Sequence, residues 1–120
     1  MSEKDSLAHI EGLIAKFSRD RDWDQFHTPK NLIMAATSEI GELAELLQWK
    51  SDEEAQEFLS TPMGRERISQ EIADVAIYLI RLCQRLDLNF IDVLNMKMSE
   101  NEMKYPVDKS KGSSKKYTDL

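Results

Sequence analysis

The chain has 120 residues, 41% of them hydrophobic and 32% charged, with a formal net charge of −6. A single domain of this size builds a modest core, and a small helical subunit often completes it with a second copy. An acidic body argues against nonspecific binding to duplex nucleic acid, and the longest charge-free run, residues 31–38, is far too short to span a membrane. The charge is uneven. Lys104, Lys109, Lys111, Lys115 and Lys116 stand against Asp108 and Asp119, a balance of +3 over residues 104–120 that leaves −9 on the rest. Such a tail suits the phosphates of a small ligand. The first residues carry acids and no apolar stretch, so no signal peptide is expected. Cys83 is the only cysteine, which excludes an intramolecular disulfide or a thiolate zinc site within one chain and fits a cytoplasmic location.

Leu7, Ile10, Leu13, Ile14 and Phe17 recur at helical spacing, so residues 5–20 are expected to form the first helix. The polar stretch from Asp20 to His27 follows as a connecting loop, with Trp23 and Phe26 expected to anchor it on the core. Thr28 and Pro29 supply an N-cap and a first-turn proline, and Leu32, Ala35, Ala36, Glu39, Leu43 and Leu46 trace one face of a second helix over 29–49. Ser51 to Glu54 resembles a capping box that opens a short helix ending near Leu59. Thr61 and Pro62 repeat the start signal, and Ile68, Glu71, Val75, Tyr78 and Leu82 carry a face to about residue 86. Asn89 and Asp92 open a further helix to about residue 104, with Met96, Met98 and Met103 as core or interface filler. Residues 1–106 thus read as one helical domain, and the Lys-, Ser- and Gly-rich residues 107–120 as a basic, flexible tail. With no strand alternation, the expected fold is all-α: an antiparallel helical bundle of about four helices, completed by oligomerisation.

Two acidic patterns dominate the long helices, Glu39-Ile40-Gly41-Glu42 and Glu71-Ile72-Ala73-Asp74. Acids three apart share a helix face. Glu39 lies ten residues before the expected helix end at 49, and Glu71 nine after the start at 62. At about 1.5 Å per residue these are roughly 15 and 14 Å from the connection, so folding back sets the patterns side by side. Both interrupt apolar stripes, where clustered carboxylates repel and lose hydration unless protonated or paired with cations. All-oxygen coordination points to Mg²⁺, with Mn²⁺ as a substitute. Neither His9 nor His27 follows a Glu by three, which disfavours a di-iron bundle. Solvated helix faces remain the plain alternative.

The two patterns, with the stretches Arg21–Asn31, Glu39–Lys50 and Glu71–Leu79, resemble the all-α MazG-like nucleoside triphosphate pyrophosphohydrolases. Lys97, Asn101, Lys104-Tyr105-Pro106 and Ser113–Thr118 are similar to the dCTP pyrophosphatase branch. The resemblance covers roughly residues 15–118. It implies hydrolysis of a deoxynucleoside triphosphate, dCTP or modified dCTP first, to monophosphate and pyrophosphate. It further implies that Glu39, Glu42, Glu71 and Asp74 bind Mg²⁺, with Glu39 or Glu42 as the base for water. His27, Trp49 and Asn101 would line the base and sugar pocket, Tyr78 and Tyr105 contact sugar or phosphate, and Lys97 the phosphates. A homodimer or homotetramer is implied, in which Lys115 and Lys116 of one chain reach another's site. Two other readings stay open: a non-enzymatic helical interaction module, and a related enzyme acting on another nucleotide such as a phosphoribosyl-ATP.

Overall fold

Side-chain caps decide where the helices begin in the computed structural model, which describes residues 6–120. The Ser6 hydroxyl accepts from the His9 N–H and opens α1, Leu7–Asp20. Thr28 accepts from Asn31 N–H ahead of α2, Pro29–Glu45, and Ser51 and Glu54 form a reciprocal capping box ahead of α3, Asp52–Ser60. Thr61 caps α4, Pro62–Arg85, and Asn89 caps α5, Phe90–Lys104. Each cap satisfies an N–H that the first helical turn leaves without a partner. A short α6, Val107–Ser110, and two 3₁₀ turns, Asp24–Phe26 and Tyr117–Asp119, complete the chain. There is no strand among the described residues, and none of their helices is long and apolar enough to cross a membrane. The fold is all-α.

Two boundaries differ from the sequence reading. The expected start of the first helix at residue 5 lies outside the described residues. The second helix stops at Glu45, four residues short of 49: Leu47 and Gln48 N–H both turn back to the Ala44 carbonyl, and Trp49 adopts φ 72. Leu46 prolongs the apolar stripe into that turn and is buried there, which is why periodicity ran past the helix end.

The chain divides into two compact units, one ending at Asp87 and the other formed by Leu88–Leu120. In the first, α4 is the central element, with α2, α3 and α1 all packed against it. His27, just ahead of α2, meets Arg81 near the end of α4, while Glu39 and Glu42 meet Glu71 in its first half. The two long helices therefore run antiparallel. Ile14, Leu32, Ala36, Leu46 and Ile80 form the buried core. That core is small, and Ile33, Met34, Ile40, Ile72 and Ile77 remain exposed on α2 and α4. In the second unit, the residues expected to be a flexible tail carry α6 and the last 3₁₀ turn. There Tyr117 packs edge-on to Tyr105 at 6.0 Å, and Lys104 Nζ lies 4.7 Å from the Tyr117 ring centre. Met96, Met98 and Met103 are exposed on α5.

The α3–α4 corner depends on a missing side chain. A Cβ on buried Gly64 would stand 1.9 Å from the Phe58 carbonyl oxygen, so backbone must move to admit it. Gly64→Ala is expected to cost about 1–3 kcal/mol through this overpacking. A thermal melt equal to that of the parent chain would contradict the close approach.

Candidate active site

Glu39 and Glu42 stand one turn apart on α2, and Glu71 faces them from α4. One carboxylate oxygen from each lies within 4.8 Å of the other two. None of the three forms an ion pair with a basic side chain among the described residues. Glu39 Oε2 and Glu71 Oε2 are shielded from solvent and have no hydrogen-bond donor. Ionised carboxylates have only acceptors to offer each other, so this pair bonds only by holding a proton between them. Sharing that proton with Glu71 is the main reason Glu39 is pushed from the ordinary 4.5 up to about 7, with burial and the Glu42 and Asp74 charges adding to the effect.

The consequence for stability has a definite sign. Between about pH 4.5 and 7 the folded, metal-free protein holds more protons than the unfolded chain. Stability from this group is complete below 4.5 and is lost as pH rises through 7. Denaturation of metal-free protein should therefore show stability falling over that window, with a flatter profile in Glu39→Gln. An identical slope in the variant would remove Glu39 as the cause.

Two orphaned oxygens in an oxygen-only cluster fit a hard divalent cation, whose charge relieves the repulsion and whose coordination replaces the missing donors. Asp74 is not within that cluster. It sits one turn along α4 from Glu71, exposed, yet near enough for its charge to raise Glu39. The four expected acids are thus grouped as three and one.

Two cavities open in the first unit. One, of about 390 Å³, is lined by Glu42, Glu71, Lys50, Arg67 and Phe58 among others, so it brings two cations alongside the acids. Lys50 Nζ stands 5.0 Å from the Phe58 ring centre. The other, of about 430 Å³, has apolar walls from Leu13, Phe17, Trp23 and Ile77, with Tyr78, His27, Asp74 and Arg81 contributing its polar groups. Asp74 lines this aromatic cavity, and Glu42 and Glu71 line the first.

His27 and Tyr78, expected at a substrate pocket, both line the aromatic cavity. Trp49 is 93% exposed and lines neither cavity. Lys97, Asn101, Tyr105, Lys115 and Lys116 belong to the second unit. There Lys97 pairs with Glu100 at 3.3 Å, Asn101 is half-buried, Tyr105 packs on Tyr117, and Lys115 and Lys116 are exposed.

The sequence reading missed Trp23 and Arg81. Trp23, taken as a loop anchor, does pack on Phe17 at 5.6 Å, but it remains 43% exposed and forms a cavity wall. Phe26, expected to pack likewise, is 60% exposed. Arg81 carried the signal used for the acids, a charge interrupting an apolar stripe, four and three residues beyond Ile77 and Tyr78.

The MazG-like family profile matches residues 34–120. The chain is 44% identical to dCTP pyrophosphatase 1 of Bos taurus over 119 residues, 99% of this chain and 70% of that protein. It is 41% identical to dCTP pyrophosphatase 1 of Homo sapiens over the same length. It is also similar to the crystal structure of a pyrophosphatase from Archaeoglobus fulgidus, with 38% identity, 83% of this chain and 92% of that chain covered, and a TM-score of 0.78.

Proposed function

The chain belongs to the MazG-like family as a nucleotide pyrophosphohydrolase, and from that premise we propose that its substrate is dCTP or a modified dCTP and that its acid cluster works with Mg²⁺. The observation that carries this reading is the pair of orphaned carboxylate oxygens, one on Glu39 and one on Glu71. Glu39, Glu42, Glu71 and Asp74 would hold the ion, or Mn²⁺ in its place. When bound, it supplies charge neutralisation on the phosphates and a more acidic water.

The chain's own residues account for the rest. Water adds its oxygen to the α-phosphate, its proton passes to Glu39 or Glu42, and the α–β anhydride opens to release monophosphate and pyrophosphate. Lys50 and Arg67 line the cavity that Glu42 and Glu71 share, where they offset phosphate charge. Trp23 and Tyr78 offer aromatic faces to the base in the neighbouring cavity, with His27 as a polar contact. Trp49, Asn101, Lys97, Tyr105, Lys115 and Lys116 are assigned to base, sugar and phosphate contacts. The exposure of Trp49, Lys115 and Lys116 suits residues lent to a neighbouring subunit's site. Exposed Ile33, Ile40 and Ile72 on the long helices support a homodimer or homotetramer that covers them. The free Cys83 fits a cytoplasmic enzyme.

Incubation with each deoxynucleoside triphosphate and Mg²⁺ tests the proposal. dCTP should turn over fastest, and Mg²⁺ alone should raise the melting temperature, since a ligand that binds only the folded state stabilises it. No turnover and no thermal shift would favour a helical interaction module instead.

A further inference from the structure

Arg81 is 5% exposed and lines the aromatic cavity together with His27. Its Nε donates to His27 Nδ1 at 3.0 Å, its Nη2 pairs with Asp24, and its Nη1 donates to Gln84 Oε1 at 3.1 Å. Gln84 is in turn held by its bond to the Glu11 carbonyl at 2.8 Å, and the His27 carbonyl accepts from Arg85 Nε at 3.1 Å. His27 is therefore fixed at both backbone and ring. A guanidinium has donors and no acceptor, so the ring nitrogen facing it must carry a lone pair. Neutral His27 then has its proton on Nε2. Burial, followed by the Arg81 charge, holds His27 below its ordinary 6.5, so the ring stays neutral.

We propose that Arg81 is a specificity-determining positioning residue: by occupying His27 Nδ1 it fixes the Nε2–H tautomer and gives the aromatic cavity one permanent hydrogen-bond donor, matched to the pairing edge of cytosine. At ring position N3 cytosine presents an acceptor, whereas thymine and uracil present an N–H. Held opposite ring position N3, a fixed donor bonds the first and is opposed by the N–H of the others, even though O2 and O4 flank it. This rests on the pyrophosphohydrolase reading for its substrate, but the tautomer is a property of the protein alone. Discrimination of this kind, from a half-buried donor left without its acceptor, amounts to roughly tenfold in kcat/KM.

The chain has two histidines, so His9→Gln leaves one ring to observe by long-range ¹H–¹⁵N correlation in full-length, ¹⁵N-labelled protein. The expected spectrum shows a protonated Nε2 and a bare Nδ1 above pH 7, and loss of that single-tautomer signature in Arg81→Leu. A protonated Nδ1 in the parent overturns the proposal. In parallel, kcat/KM with Mg²⁺ is measured for dCTP and dTTP in the parent, Arg81→Leu, His27→Phe and the double variant. The dCTP preference should fall about tenfold in each single variant and no further in the double. An equal loss on both substrates, with the preference intact, would make Arg81 merely structural and overturn the proposal, as would a parent with no preference. Should Arg81→Leu fail to fold, His27→Phe alone must lower the preference, and an unchanged ratio there is equally fatal. A parent that hydrolyses no triphosphate overturns the enzymatic reading instead, and its ring spectrum still reads the tautomer.

Discussion

Glu71→Gln is expected to lower kcat by on the order of a hundredfold to a thousandfold while leaving the helices intact. Glu71 is the only acid that α4 contributes to the three-carboxylate cluster, and one of its oxygens is buried without a donor. The amide keeps the side chain's shape and replaces one acceptor with a donor. Glu39 then gains a hydrogen bond that needs no shared proton, and the cluster loses a negative charge. Two effects follow with opposite signs. The metal-free variant should be as stable as the parent or more so at pH 8, because the repulsion is relieved. Its Mg²⁺ affinity should fall, as read by calorimetry and by a diminished thermal shift. Circular dichroism separates this from unfolding. A variant with parental kcat and parental Mg²⁺ affinity would remove Glu71 from the site. Asp74→Asn is the informative companion, since Asp74 stands outside the cluster: a comparable loss shows that the ion draws the fourth acid in.

Leu32→Ala should destabilise the protein by about 2–5 kcal/mol, the range for truncating a buried leucine whose cavity does not collapse. Leu32 is 2% exposed, the most deeply buried side chain of a core that holds few others. A domain of this size has roughly 5–15 kcal/mol in total, so the loss takes a large share. Met34, two residues away and 64% exposed, provides the control, and Met34→Ala should stay within about 0.5 kcal/mol. Urea unfolding of the two variants measures the difference. Equal midpoints would mean that α2 packs through a different face.

The meeting of three acids was legible because of where they stand on their helices. Acids on an apolar stripe conflict with burial, and the conflict marked Glu39 and Glu71, while spacing of three added Glu42 and Asp74. Helix starts were equally plain, since Thr28-Pro29 and Thr61-Pro62 encode a cap and a fixed φ within two residues. The end of α2 was not. Leu46 continues the stripe into a turn, and nothing local announces the positive φ at Trp49. The separation of Asp74 from the other acids was hidden for a different reason. Spacing along a helix fixes a face, whereas the side chain one turn on answers to whatever packs there, here the apolar cavity rather than α2. Trp23 and Arg81 escaped because the cavity they line brings together residues more than fifty apart in sequence, as in the Arg81–His27 bond.

The most direct test of the account is the bond that the enzyme breaks. Purified protein, Mg²⁺ and dCTP in ¹⁸O-labelled water, followed by ³¹P NMR and mass spectrometry, should give pyrophosphate and dCMP in equal amounts, with the label in dCMP. Release of orthophosphate and dCDP instead would contradict it.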